Sequence, residues 1–210
     1  MKLIIGNKNY SSWSLRPWLL MAYHGLDFET VLIPLYSAEM PALMAKYCPS
    51  KKVPTLHDGA LIVSDSLAIC EYISEKYLSN NGWPSDIETR AKARALAAEM
   101  HSGFFQIRTQ MPMDIREKHK TYDASDNALF AEIARIDAIW SQAVDDEFLC
   151  GSFGIADCMF APVAFRFQTY DVALSAPAKR YQKALLALPA MQAWQDAALL
   201  ETMIIKNLNI

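Results

Sequence analysis

Tyr10-Ser11-Ser12-Trp13-Ser14-Leu15-Arg16-Pro17 connects a short apolar run, Lys2 to Gly6, to a segment that stops at Gly25. Proline is tolerated in the first turn of a helix, where its missing N–H costs nothing, so Pro17 predicts a helix opening here with Ser14 as its N-cap. Trp18, Leu19 and Ala22 then share one face, and Gly25 supplies the C-terminal stop. Lys2 to Gly6 reads as a strand and Phe28 to Ile33 as a second, which makes a βαβ unit. The junction leaves serine hydroxyls in front of a helix N-terminus, whose free N–H groups and positive dipole end favour a negative charge such as a thiolate.

Downstream, Ser37 to Lys52 is irregular and partly helical. Pro54-Thr55-Leu56-His57 and Ala60-Leu61-Ile62-Val63 flank Asp58-Gly59, a pair suited to the two positive φ values of a tight hairpin. Asp65-Ser66 caps a helix whose Ile69, Tyr72, Ile73 and Tyr77 face the sheet, completing βαβ-ββα by Tyr77. Leu78-Ser79-Asn80-Asn81-Gly82-Trp83-Pro84-Ser85 is rich in turn formers and reads as a linker. Beyond it come helical patterns near 87–111, 127–144, 155–170 and 189–202, with no convincing strand. An α/β unit over residues 1–79 is therefore expected to precede an all-α unit over residues 86–210.

At 210 residues and 52% hydrophobic content, there is material for a buried core. A net charge of −3 with scattered Lys and Arg gives no basic stripe, which argues against nucleic acid as a partner. The first apolar run is too short for a signal-peptide core and no run approaches a membrane span, so a cytoplasmic protein without membrane partners is expected. Cys48, Cys70, Cys150 and Cys158 form no Cys-x-x-Cys pair and have no His at metal-ligand spacing, so no metal site and no dithiol centre is expected.

Ser11-Ser12-Trp13-Ser14-Leu15-Arg16 resembles the active-site segment of serine-type, zeta-like members of the cytosolic glutathione S-transferase family and their bacterial relatives. Lys52-Val53-Pro54-Thr55-Leu56 resembles that family's cis-proline segment, and Asp65-Ser66-Leu67-Ala68-Ile69 its acidic-Ser pair opening the third helix. Gly151 to Asp157 is similar to the capping motif of its second domain, and Leu188 to Trp194 to a late helix start. The order and spacing of these segments are jointly hard to obtain by chance. The cap departs from the usual pattern, with Gly154 where Ser or Thr is customary three residues before the Asp.

The resemblance implies an N-terminal thioredoxin-like domain, an all-helical C-terminal domain, glutathione as co-substrate, a small electrophilic substrate and a homodimer. It assigns Ser11 as the group holding the thiolate, with Ser12 as a nearby second donor. A free thiol with a pKa near ~8.5 is only a few per cent ionised at neutral pH. One serine hydrogen bond to the anion, contributing roughly 1.5 to 3 kcal/mol, lowers that pKa by about one to two units. Val53, ahead of a cis Pro54, is expected to pair its backbone with the glutathione cysteine. Ser66 and the helix end are expected to meet the γ-glutamyl carboxylate, and Asp65 its ammonium, roles compatible with plain capping. Lys52 either reaches the glycine carboxylate or is a solvated surface charge.

Met100, Phe104, Arg108 and Met111 form a stripe, with Ile107, that either walls an electrophile pocket or belongs to the core. Arg108 either holds an anionic substrate or pairs with an acid on a neighbouring helix. His24, His57, His101 and His119 fit no metal or nucleophile pattern and receive no catalytic role. The leading expectation is a glutathione transferase. A maleylacetoacetate-type isomerase is the alternative, disfavoured by Trp13 where that class has Cys and by Thr169 near the place of its substrate-binding Arg, with Arg166 one turn away. A non-catalytic binding or regulatory relative is the third reading, and thiol-disulfide exchange ranks last because Ser occupies the place of the needed Cys.

Overall fold

The computed structural model describes residues 1–143 and 148–205. Four strands, β1 (Lys2–Ile5), β2 (Glu29–Leu32), β3 (Thr55–Asp58) and β4 (Leu61–Ser64), form one sheet in the order β2-β1-β3-β4. Lys2 pairs with Glu29 in the parallel β1–β2 ladder and with His57 in the antiparallel β1–β3 ladder, while Asp58 faces Leu61 across the hairpin. Side chains alternate across a strand, so β1 serves two layers. Leu3 and Ile5 enter the main core, whereas Ile4 meets Ile33, Met44 and Cys48 beneath helix α2 (Met40–Tyr47). The main core also holds buried residues of α1 (Ser12–Tyr23) and α3 (Ser66–Tyr77), so the sheet is covered on both faces.

Gly25 ends α1 at φ +63°, where a side chain would be strained. Its N–H reaches Ala22 O, and Leu26 N–H reaches Met21 O, the paired bonds of a Schellman stop. The helix start differs from expectation. Ser11 is the N-cap and Pro17 lies inside the helix. Ser14 is no cap: its hydroxyl accepts the Gly6 N–H at 3.1 Å, tying the helix to the end of β1. The hairpin also differs, because Asp58 stays in β3 and Gly59, at φ +60°, carries the turn's one positive φ. A two-residue loop with glycine first needs only that one.

The second half contains α4 (Ile87–Ser102), α5 (Phe105–Gln110), α6 (Asn127–Trp140), α7 (Ile155–Thr169), α8 (Ala176–Ala187) and α9 (Pro189–Leu199). The single helix expected over 87–111 is broken at Gly103-Phe104, with Phe104 left-handed at φ 60°. Arg108 seals the break, its guanidinium donating to Gly103 O at 2.9 Å and to Met100 O. A cation against carbonyls at a helix C-terminus satisfies orphan acceptors and suits the dipole. The pattern expected to reach Val144 forms α6; Val144 itself lies outside the described residues. Helix α8, opened by Ser175 and Pro177, was not anticipated, and α9 ends at Leu199 rather than near Thr202.

Every residue of α7 except Gln168 is buried, which makes this helix the axis of the second half. Its start is pinned by Asp157, whose carboxylate accepts from Leu149 N–H at 3.0 Å, Gly154 N–H at 2.9 Å and Tyr181 Oη at 2.9 Å. Gly154 departs from the usual Ser for a steric reason. A Cβ there would sit 2.9 Å from Gly82 O, the carbonyl that already accepts the Ile155 N–H.

Candidate functional site

Because β1 and β2 run parallel while β3 runs against β1 and β4 against β3, one edge of the sheet collects the C-terminal ends of β1, β2 and β4 and the N-terminal end of β3. The segments leaving that edge are Tyr10-Ser11-Ser12-Trp13, Leu35-Tyr36, Val53-Pro54 and Asp65-Ser66. A cavity of about 110 Å³ opens among them, lined by Tyr10, Ser11, Ser12, Trp13, Leu35, Tyr36, Val53 and Ile205. Three of the residues singled out in the sequence, Ser11, Ser12 and Val53, therefore share one small cavity. A larger cavity, about 550 Å³, lies among Tyr23, His24, Trp83 and Cys150 at the other end of α1 and includes none of them.

Ser11 and Ser12 are buried. Ser11 donates its hydroxyl to Ser14 Oγ at 2.7 Å. Ser12 Oγ instead accepts from Arg166 Nη2 at 3.2 Å, from α7, 154 residues along the chain. The Val53–Pro54 peptide is cis. Among the described residues, neither the Val53 N–H nor its C=O has a backbone partner. Asp65 caps α3, its Oδ1 accepting from Leu67 N–H at 2.9 Å and Ala68 N–H at 3.2 Å, and it holds φ at +81°, an uncommon setting for a residue with a side chain. Ser66 is 1% exposed and its Oγ has no hydrogen-bond partner among the described residues. A buried hydroxyl without a partner forfeits hydration, so it marks a place where a ligand acceptor or donor fits. Lys52 is exposed and its carbonyl accepts from Thr55 Oγ1 at 3.0 Å.

Met100, Phe104, Ile107 and Met111 all belong to the main buried core, and none lines the 110 Å³ cavity. Arg108, beyond sealing α4, lays its guanidinium 4.6 Å from the Trp13 ring. Arg16 approaches the same ring at 4.2 Å while its Nε donates to Met159 O at 3.2 Å. Three arginines thus gather behind the serine segment, and Arg16 and Arg166 are almost wholly buried. Burial, with the Arg108 and Arg166 charges, pushes Arg16 well below its usual value. Burial and the Arg108 charge bring Arg166 down to about 9, which leaves it cationic at neutral pH. His101, given no role from sequence, donates from Nε2 to Asp65 Oδ2 at 3.1 Å and stands edge-on to Trp13. Burial lowers its pKa, so the neutral ring is favoured.

The C-terminal segment closes one side. Arg116 donates to Tyr10 Oη at 2.8 Å, to Met203 O at 2.6 Å and to Glu201 O. The Glu201 carboxylate accepts the Lys8 and Asn9 N–H groups at 2.7 and 3.1 Å, which carries Ile205 into the cavity wall. Local patterning gives no hint of Arg16, Arg166 or the Glu201–Ile205 strap. The side-chain hydrogen bonds that place them span 55 or more residues, and only the charge of an Arg deep in a mostly apolar helix marks Arg166 as unusual.

Family models for the glutathione S-transferase N-terminal and C-terminal domains match residues 10–76 and 108–197. Among curated proteins, IN2-1 homolog B of Oryza sativa is 26% identical over 156 residues, which are 74% of this chain and 61% of that protein. The chain thus matches about 61% of the length of those rice relatives. Maleylacetoacetate isomerase of Rattus norvegicus is 26% identical over 191 residues, 87% of each chain. Among solved structures, a maleyl pyruvate isomerase described as a bacterial zeta-class glutathione S-transferase shares 25% identity at a TM-score of 0.71, over 94% of this chain and 98% of that one. Both halves are matched in chain order and the fold is shared nearly end to end, so the chain belongs to the glutathione S-transferase family.

Proposed function

We propose that this protein is a glutathione transferase in which the sheet half, residues 1–79, binds glutathione and the helical half, residues 86–210, closes the site and contributes the electrophile's surroundings. The observation that carries this is the convergence on one sheet edge of a buried serine pair, the unpartnered Val53 backbone, and the buried Ser66 hydroxyl at the N-terminus of α3. Each suits one part of the tripeptide. The Ser11–Ser12 pair offers hydrogen bonds to sulfur, Val53 to the cysteine backbone, and Ser66 with the α3 end to the γ-glutamyl carboxylate. Asp65, whose Oδ2 is shared with His101, is placed for the ammonium, and exposed Lys52 for the glycine carboxylate.

With an aryl halide, the carbon–sulfur bond forms as the halide leaves with the bonding pair, and the thiol proton passes to solvent. The protein's part is to keep the thiol ionised and to exclude water. Conjugation of glutathione to a chloronitrobenzene tests this. The expected result is turnover that falls when Ser11 or Ser12 is changed to Ala; no turnover and no binding of glutathione would end the proposal.

Isomerisation of a maleylacetoacetate-type substrate is the second reading, favoured by the rat and bacterial relatives and by the buried Arg16 and Arg166. Thr169 counts against it, since it is buried and donates to Asp114 O at 3.0 Å rather than facing the cavity. Turnover of maleylacetone decides between them. We also propose a homodimer, because β4 is an edge strand whose Leu61 and Ile62 are exposed, and a cytoplasmic setting, because all four cysteines are unpaired. Light scattering at working concentration tests the dimer. No helix among the described residues is long and apolar enough to cross a membrane.

A further inference from the structure

We infer that Ser12, backed by Arg166, is the principal donor to the glutathione thiolate, and that Arg166 acts as a positioning residue reaching from the helical half into the thiol site. This rests on the glutathione reading above and assigns the chemistry within it. The hydrogen bonds distinguish the two serines. Ser11 spends its one proton on Ser14 Oγ, which also receives the Gly6 N–H. Ser12 Oγ receives Arg166 Nη2, and a guanidinium only donates, so the Ser12 proton is left to donate elsewhere. Ser12 lines the cavity.

Accepting from a cation polarises the hydroxyl and makes its outward donation stronger. Arg166 is itself fixed, since its Nη1 donates to Met111 O and the side chain is 2% exposed. The surrounding cations act in the same direction. Arg16 from α1 and Arg108 from α5 are cations. Tyr170, just past α7, and Cys70 from α3 are both pushed toward their neutral, protonated forms by burial, and the acids that face this cluster are Asp65, beside His101, which acts on Arg16, Glu132, which acts on Arg108, and Asp114, which acts on Tyr170. Arg166 is buried and, among the described residues, bonds only carbonyls and the Ser12 hydroxyl; a buried cation without a carboxylate is costly, and an arriving thiolate offsets part of that cost.

The test uses the full chain as wild type, Ser11→Ala, Ser12→Ala, Arg166→Lys, Arg166→Met and the Ser12→Ala/Arg166→Met double variant. The ultraviolet absorbance of thiolate against pH gives the pKa of bound glutathione, and calorimetry with S-methylglutathione gives affinity without the thiol. Ser12→Ala is expected to raise the bound thiol's pKa by about one to two units and Ser11→Ala by well under about one. Arg166→Met is expected to raise it by about one unit, Arg166→Lys to restore most of that, and the double variant to shift little beyond Ser12→Ala, because the two act through one hydrogen bond. A rise with Ser11→Ala but none with Ser12→Ala overturns the inference, as does full additivity in the double variant. The serine comparison decides even if Arg166→Met does not fold. Failure of S-methylglutathione to bind wild type would instead defeat the glutathione reading itself.

Discussion

Replacing Gly154 with Ser restores the residue usual at this cap, and cap statistics alone predict a gain of a few tenths of a kcal/mol. The structure predicts a loss. The backbone at Gly154 is extended, so its dihedrals admit any residue, but the added Cβ would lie 2.9 Å from Gly82 O. That carbonyl cannot easily retreat. It accepts the Ile155 N–H at 2.9 Å, Gly82 N–H is held by Ser74 Oγ at 3.1 Å, and Ser74 and Ile155 fill the space beside Gly82 where a Cβ would sit. Overpacking of this kind costs about 1 to 3 kcal/mol, which outweighs the cap. In a chain of this size 1 kcal/mol corresponds to roughly 2 to 4 °C, so thermal unfolding should fall by about 2 to 10 °C. Gly154→Ala, which adds the Cβ without a capping oxygen, should fall at least as far. An unchanged or raised midpoint for Gly154→Ser would refute the steric account.

Asp157 provides a pH test. Burial raises its carboxyl from 3.8 to about 6 against the pull of its three donors, so the folded protein holds a proton that the unfolded chain has released. Its contribution is therefore complete below about pH 4 and is lost as pH rises through about 6, a change of about 2 to 3 kcal/mol. The stability advantage of wild type over Asp157→Asn in urea unfolding should shrink by that amount across this window; a constant advantage contradicts it. Ser66→Ala removes a buried hydroxyl with no partner, so the urea midpoint should hold or rise while the glutathione Kd weakens about tenfold or more. An unchanged Kd would remove Ser66 from the site. Arg116→Ala unties Tyr10, Glu201 and Met203 and should cost about 1 to 3 kcal/mol while exposing residues 200–205 to protease. Unaltered cleavage there would show that the strap has other anchors.

The elements that local chemistry dictates were legible in the sequence. Gly25 at a positive φ, Asp65 accepting two N–H groups and the Gly59 turn each follow from one or two residues, and together they define βαβ-ββα. Pro17 misled, because a proline six residues into a helix is sterically admissible at some cost, and the helix start was decided instead by Ser11 and the Gly6–Ser14 bond. The α4–α5 break depended on Arg108 reaching back to carbonyls of the preceding helix, an arrangement that periodicity does not encode. Helix α8 escaped notice although Ser175, Pro177 and the apolar Ala178, Tyr181 and Leu185 mark it. At the site, the serine, proline and Asp-Ser segments were visible as a resemblance. Arg108 and Arg166 were legible only as candidate anchors for an anionic substrate; their convergence with Arg16 behind Ser12 and Trp13 was not, since α7 is buried nearly all round and carries no amphipathic signature to show which partner each residue meets.

The central claim, that this site binds glutathione and keeps its sulfur ionised, is tested most directly by titrating the bound thiol through its thiolate absorbance. A pKa about one to two units below the free value of ~8.5 is the predicted result. Saturable binding with the thiol still titrating near ~8.5 would contradict it.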